Sequence, residues 1–277
     1  MGDFEIDTRV EPVDEDAGLY RAELSSDWEI WGPNGGYIAA IALRAAGRAA
    51  SIPRPASFNA HFLSVARFEP VELRVRVVRR GRRSESLAVS LTQQGKPVLE
   101  ALVRTASAVA GLEHDRARMP DVPEPESLAS ADELRDPEWP IYAFWQNLDS
   151  RPLHPERFRE PPTARDPEFR EWYRLRPRST FDDPFVDAGR VLMLIDTLSW
   201  PAAVRPHPDS AFIAPNLDVS AWFHRPAPEC EWLLADHRCD LAESGLMGTH
   251  GRVWSRDGRL LATGGAQLMC VPAPPRD

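Results

Sequence analysis

The run Asn34-Gly35-Gly36 followed by YIAAIALRAAGRAA at positions 37–50 decides how the chain is read. Asn34 is suited to cap a first helical turn, and the segment behind it is rich in alanine, the best helix former. Apolar side chains surround nearly the whole of this helix, so it requires burial and something to wrap it. The wrapping follows at once. In VELRVRVV (71–78), Val71, Leu73, Val75 and Val77 alternate with Glu72, Arg74 and Arg76, the period of a strand with one wet face. RRGRR (79–83) turns the chain, Ser84 to Gln93 alternates through Leu87, Val89 and Leu91, Gln94-Gly95-Lys96 turns it again, and Pro97 to Ala106 forms the next strand. One buried helix is thus followed by three antiparallel strands.

The second half repeats this order. GRVLMLIDTLSWPAAV (189–204) is helical in pattern until Pro201, and Asn216–Phe223, Glu231–Cys239, Gly245–Ser255 and Leu260–Val271 are strand candidates. Arg256-Asp257-Gly258-Arg259 supplies an Asp-Gly hairpin turn. Gly95 and Gly258 lie 163 residues apart, and Phe62 and Phe223 lie 161 apart, close enough to count as one internal repeat. Between the halves, nine of the 27 prolines fall from Met119 to Thr163, which reads as a linker, and AFWQNLDSRPL and EFREWYRLRP open the second unit as strands.

Composition narrows the function classes. With 277 residues, 43% hydrophobic and 27% charged, the chain is ordinary globular material with room for a large core. Its net charge of -9 provides no field to attract nucleic acid or anionic lipid. The acidic N-terminus lacks a signal peptide's basic and apolar regions, and the longest uncharged apolar stretch, Tyr37 to Leu43, is far short of the ~20 residues that span a bilayer. Cys230, Cys239 and Cys270 form no CxxC pair, as expected of a reducing compartment. A cytoplasmic protein with neither nucleic-acid nor membrane partners is expected.

Two long helices, each covered by an antiparallel sheet, make an α+β layer arrangement, and here the sequence resembles a family, the double-hotdog acyl-CoA thioesterases of the thioesterase II (TesB-like) type. The carriers are Gly32-Pro33-Asn34-Gly35-Gly36, HFL (61–63), PVELRVRVVRRGRR (70–83) and QQGKPVLEAL (93–102). In the second half they are LMLID (192–196), LDVSAWFHRP (217–226), EWLL (231–234) and DGRLLATGGAQLM (257–269), with WFHRP followed by EWLL the most specific. The resemblance implies a tandem hotdog with an N-terminal unit over residues 1–118, a linker over 119–140 and a C-terminal unit over 141–277. It also implies hydrolysis of an acyl-CoA thioester without metal or organic cofactor, and assembly into a homodimer or larger homo-oligomer.

Asp196 interrupts the apolar run Val191–Ile195. It is either a polar helix margin beside Thr197 and Ser199 or a buried carboxylate retained for a use. The resemblance assigns it the task of activating the hydrolytic water. The family completes its site with a hydroxyl residue, whose place here falls on Asn216, and with a glutamine on the last strand. Gln267 is the only glutamine there; ungapped matching gives Ala266, and a bulge at Gly264-Gly265 would restore Gln267. Asn34, Gly35 and Gly36 are the candidate oxyanion site, since glycine lets backbone N–H groups approach closely, although a plain helix cap has the same sequence. Arg79, Arg80, Arg82 and Arg83 are candidates for the phosphates of coenzyme A, against the alternative of a solvated hairpin tip. Trp200, Trp222 and Phe223 are either pocket walls or core. None of the seven histidines pairs at HxxxH spacing and no GxSxG elbow occurs. Two other readings remain: a non-catalytic acyl-CoA or apolar-ligand binding protein, and a hydratase or dehydratase, whose histidine five residues after the aspartate is here Pro201.

Overall fold

The computed structural model describes residues 1–158 and 163–273; positions 159–162 of the proline-rich segment and the final positions 274–277 lie outside the described part. The first half contains helix α1 (Phe4–Asp7), strands β1 (Glu11–Asp14) and β2 (Leu19–Ala22), the long helix α2 (Gly35–Ala49), and strands β3 (Pro55–Phe62), β4 (Val71–Arg80), β5 (Ser84–Gln93) and β6 (Lys96–Ala106). Helices α3 (Ala131–Leu134) and α4 (Ala143–Gln146), strands β7 (Leu148–Pro152) and β8 (Glu168–Leu175), and helices α5 (Pro184–Thr197) and α6 (Ser199–Val204) follow. The chain closes with β9 (Phe212–Ile213), β10 (Asp218–Phe223), β11 (Leu233–Glu243), β12 (Leu246–Ser255), β13 (Leu260–Gly265), β14 (Gln267–Met269) and β15 (Val271–Pro272).

One antiparallel sheet runs through both halves in the order β1-β2-β4-β5-β6-β3-β10-β13-β12-β11-β8-β7, with β14 continuing beside β12. Counted outward from the middle, β3-β6-β5-β4-β2-β1 mirrors β10-β13-β12-β11-β8-β7. The halves therefore join where β3 pairs with β10, Ser220 opposite Asn59. The alternating strands direct Val71, Leu73, Val75, Leu87, Val89 and Leu91 to one face and leave Glu72, Arg74 and Arg76 in water. On that apolar face lie α2 and α5, packed against each other as well as against the sheet. Small side chains on α2, including Ala39, Ala40, Ala42 and Ala46, are buried and keep the helices close.

Four features depart from the sequence reading. Strand β3 precedes the three expected strands and pairs with β6, and β1 and β2 extend the sheet edge. Second, the linker is a strap in part: Ala117, Met119, Val122 and Leu128 pack on Trp172, Trp232, Leu234 and Trp254 on the outer face of the second half, and Trp172 Nε1 donates to the Pro123 carbonyl at 2.9 Å. Prolines suit such a strap because they bring no N–H that burial would strand. Third, AFWQ is a helical turn, so β7 begins only at Leu148. Fourth, Pro201 does not end the helical region; α5 stops at Thr197 and Pro201 lies in the first turn of α6, where an N–H would have no intrahelical acceptor. No helix among the described residues is long and apolar enough to cross a membrane.

Helix α5 is fastened by a buried ion pair. Arg190 Nη2 donates to Asp187 Oδ1 at 2.7 Å and to the Ala227 carbonyl at 2.6 Å, and its Nη1 donates to the carbonyls of Ser179 and Cys230. Asp187 Oδ2 accepts the Ala227 N–H at 2.8 Å, so both ions are fully occupied. Breaking such a pair strands a buried charge. Arg190→Met is expected to lower the unfolding free energy by about 3–5 kcal/mol, read as a fall in the urea midpoint; a midpoint equal to that of the parent would refute this account.

Candidate active site

The N-terminus of α2 abuts the last turn of α5. A Cβ on Gly36 would lie 2.8 Å from Met193 Cα and 2.9 Å from Met193 O, so this approach requires glycine. Asn34 caps α2, its Oδ1 accepting the Tyr37 N–H at 2.9 Å, while its Nδ2 donates to Thr197 Oγ1 at 3.0 Å. One amide thereby starts one helix and holds the end of the other. Asp196, in that last turn, lies against the two glycines; a Cβ on Gly35 would meet its Oδ2 at 3.0 Å.

The Asp196 carboxylate is buried, 3% exposed. Asn216, in the segment before β10, donates its Nδ2 to Asp196 Oδ1 at 2.7 Å and to the Asp196 carbonyl at 2.9 Å. Burial pushes the Asp196 pKa up to about 7; the Asn216 amide and the Gly36 N–H oppose that rise, and nearby Asp218 adds to it. The preceding carbonyl is also fixed: Ile195 O accepts from Ser199 Oγ at 3.0 Å and lies 3.2 Å from His237 Nε2. A carbonyl can only accept, so Nε2 carries the proton. Burial pulls the His237 pKa down to about 4, which keeps that ring neutral. Thr249 completes the group by donating to Ser199 Oγ at 2.8 Å.

Asp196 and Asn216 open on a cavity of about 330 Å³ whose other walls include Gly35, Ile38, Phe62, Val98, Trp145 and Trp200. Both halves and the connecting segment contribute. Gly35 is the first residue of α2, so its N–H has no intrahelical acceptor, and it lines the cavity. A largely apolar chamber therefore holds one carboxylate, one amide and a helix start, a set able to accept a proton and to donate hydrogen bonds within one cavity. Among the described residues no group of three His, Cys, Asp or Glu could hold a metal.

Residues 24–106 match the family model for the N-terminal domain of acyl-CoA thioesterases, and residues 120–271 match that for the C-terminal domain. The chain belongs to the acyl-CoA thioesterase family. Mouse acyl-coenzyme A thioesterase 8 is 28% identical over 92% of this chain and 84% of its own. The crystal structure of acyl-CoA thioesterase II TesB2 from Mycobacterium marinum has a TM-score of 0.80 at 22% identity, covering 98% of this chain and 99% of that one. A hot dog fold protein from Alicyclobacillus acidocaldarius gives 0.82 at 22% identity, with 98% of each chain covered. The fold is thus the α+β double hotdog, and the chain is an acyl-CoA thioesterase.

The thioesterase brings together Asp196, Asn216, Asn34, Gly35 and Gly36. It does not bring in Gln267. The pairing of β12 with β13 continues unshifted from Gly251–Gly264 to Gly248–Gln267 beside β14, so no bulge occurs at Gly264-Gly265; the one shift lies near Leu261. Alternation then turns Ala266 and Leu268 inward and leaves Gln267 exposed on the outer face. Arg79, Arg80, Arg82 and Arg83 are at the wrong end of α2 for this cavity. Arg80 pairs with buried Glu85 at 2.6 Å and donates to the carbonyl of Ala49, at the C-terminal end of the helix, about 21 Å from Gly35 at 1.5 Å per residue. Trp200 lines the cavity, whereas Trp222 lies on the outer sheet face, 53% exposed. Phe62, Trp145 and Thr197 line the cavity but were not read as site residues from the sequence; only Thr197, adjoining Asp196, carried a signal.

The raised value for Asp196 has a thermodynamic sign. The folded protein keeps a proton that the unfolded chain releases from its ordinary value of 3.8 upward, so the stability linked to that proton is full below about pH 4 and is lost as pH rises through about 7. Asp196→Asn lacks this loss. Between pH 4 and pH 8 the variant should gain about 1–4 kcal/mol on the parent in urea unfolding; a constant difference would mean that the carboxyl titrates as it does in water.

Proposed function

We propose that the thioesterase hydrolyses acyl-CoA by general-base catalysis, with Asp196 as the base. The ionised carboxylate takes a proton from a water molecule in the cavity while Asn216 fixes the carboxylate through its 2.7 Å bond. The water oxygen attacks the thioester carbonyl, and the charge that develops on the carbonyl oxygen is met by the Gly35 N–H at the positive end of α2. The carbon–sulfur bond then breaks, the proton passes to the departing thiolate, and free acid and coenzyme A leave. The apolar walls Ile38, Phe62 and Val98 receive the acyl group.

The observation that carries this reading is a carboxylate buried in an apolar chamber with a pKa brought close to neutral. A group poised there is ionised often enough to accept a proton and basic enough to hold it. This assignment gives Gln267 no part, because its side chain points to solvent. Asn216 supports the base as an amide and transfers no proton itself.

Free-thiol release from a panel of acyl-CoA thioesters tests the proposal. Asp196→Asn should reduce kcat by about 10²–10⁴ with the fold intact. In the parent, kcat/KM should rise with pH as Asp196 ionises and level off above about 7. Asn216→Ala removes a bond that favours the ionised form, so the rise should move to higher pH. An Asp196→Asn enzyme with parental turnover would refute the assignment of the base.

A further inference from the structure

A second cavity, of about 310 Å³, adjoins the candidate active site, and Pro201 of α6 lines both. Its character is different. His154, Arg157, Arg165, Arg205 and His207 line it together with one carboxylate, Glu156, in a chain whose net charge is -9. Arg157 is committed to buried Glu171 at 2.7 Å, and Arg165 is paired with Glu156. Arg205 has no carboxylate partner among the described residues; the only hydrogen bond of its side chain there runs from Nε to the Asp166 carbonyl at 3.3 Å. It follows directly on α6, one helical turn, about 6 Å, beyond Pro201.

Resting on the thioesterase reading above, we propose that this cavity is the subsite for the phosphates of coenzyme A, with Arg205 as its principal ligand and Arg165 and His154 beside it. Glu156 already answers Arg165 and, at 3.3 Å, His154, which leaves the half-buried Arg205 guanidinium without a paired carboxylate among the described residues and beside arginines that repel it. Burial, and then Arg165 and Arg157, lower the Arg205 pKa, and burial, and then Arg205, lower that of His154. A phosphate relieves this repulsion, and a guanidinium binds it through paired hydrogen bonds. Coenzyme A carries its phosphates at the far end of a flexible arm from its sulfur. It therefore needs an apolar chamber for the acyl thioester and a separate cationic pocket beside it, the relation that Pro201 creates. The hairpin arginines at the other end of α2 have no such relation to the chamber.

The test is calorimetric titration of the whole protein with adenosine 3′,5′-bisphosphate, the phosphate-bearing end of coenzyme A, beside inorganic phosphate alone. The bisphosphate should bind, Arg205→Gln should weaken it about tenfold, and Arg205→Lys, which keeps the charge and loses the fork, should fall between. For acyl-CoA hydrolysis, Arg205→Gln should raise KM about tenfold while kcat holds, and the KM of an acyl-pantetheine thioester, which lacks phosphates, should stay at its parental value. Bisphosphate binding that is absent, or equal in parent and Arg205→Gln, overturns the proposal. Inorganic phosphate bound as tightly as the bisphosphate overturns its assignment to coenzyme A. Because the titration involves no hydrolysis, a failure of the thioesterase reading would show separately, as absence of turnover on every thioester.

Discussion

The structure depends on one contact, the N-terminus of α2 set against the last turn of α5 with only hydrogen at Gly36. Any side chain there would meet the Met193 backbone at under 3 Å. The approach shields Asp196 from water, aims the α2 N-terminus at it, and leaves between the two helix ends the space that becomes the cavity. No single half of the chain contains this arrangement. The sheet continuous through β3 and β10 holds the two helices in register, and Asn34 fastens them with one amide.

Burying a carboxylate opposes folding, and the surroundings compensate only in part. One neutral amide and one backbone N–H face the charge, with no cation among the contributors to its pKa. An arginine in the place of Asn216 would hold the carboxyl far below neutrality and make it a weak base. The partial compensation is what leaves the group basic, at the expense of stability above pH 7. The rigid frame comes from elsewhere. Ser199 and His237 bond the carbonyl immediately before Asp196, a helix-end carbonyl that would otherwise be stranded in the core.

The two long helices and most strands were legible because their periods are regular: the alanine-rich run of α2, the strict alternation of β4 and β5, and the turn glycines Gly95 and Gly258, both at positive φ. Asp196 stood out because a charge inside LMLID violates its own context, but its spacing also fitted a polar helix margin, and only the resemblance favoured the buried carboxylate that the structure shows. Strand β3 was not legible, since PASFNAHF mixes small, polar and aromatic residues and one of its two partners is a strand from the other half. Gln267 was misplaced because a period of two makes a one-residue error reverse every face. The hairpin arginines show a different limit: charge density is visible in a sequence, but which end of a helix it meets is not. Trp145 lies in a connecting segment without periodicity, and the cationic cavity draws residues from three separate stretches.

The near-symmetry of the halves raises the question of why only one junction holds a buried carboxylate opposite a helix start. The N-terminus of α5 meets the C-terminal part of α2 in the corresponding way. Counted from the caps Asn34 and Asp183, Gly36 corresponds to Phe185, two residues on, and Gly47 corresponds to Asp196, thirteen residues on. At one junction glycine lies on the helix start and the larger residue opposite it is an aspartate. At the other the pattern is reversed: Phe185 is on the helix start and glycine is opposite, with the Phe185 ring 2.6 Å from where a Gly47 Cβ would be. Each junction thus matches one small residue with one large one, as dense packing requires. Only where the glycine is on the helix start can a backbone N–H face the opposing side chain at close range, and only there is that side chain a carboxylate. Packing is satisfied twice by the same geometry, and the order of small and large decides which junction has a group to ionise.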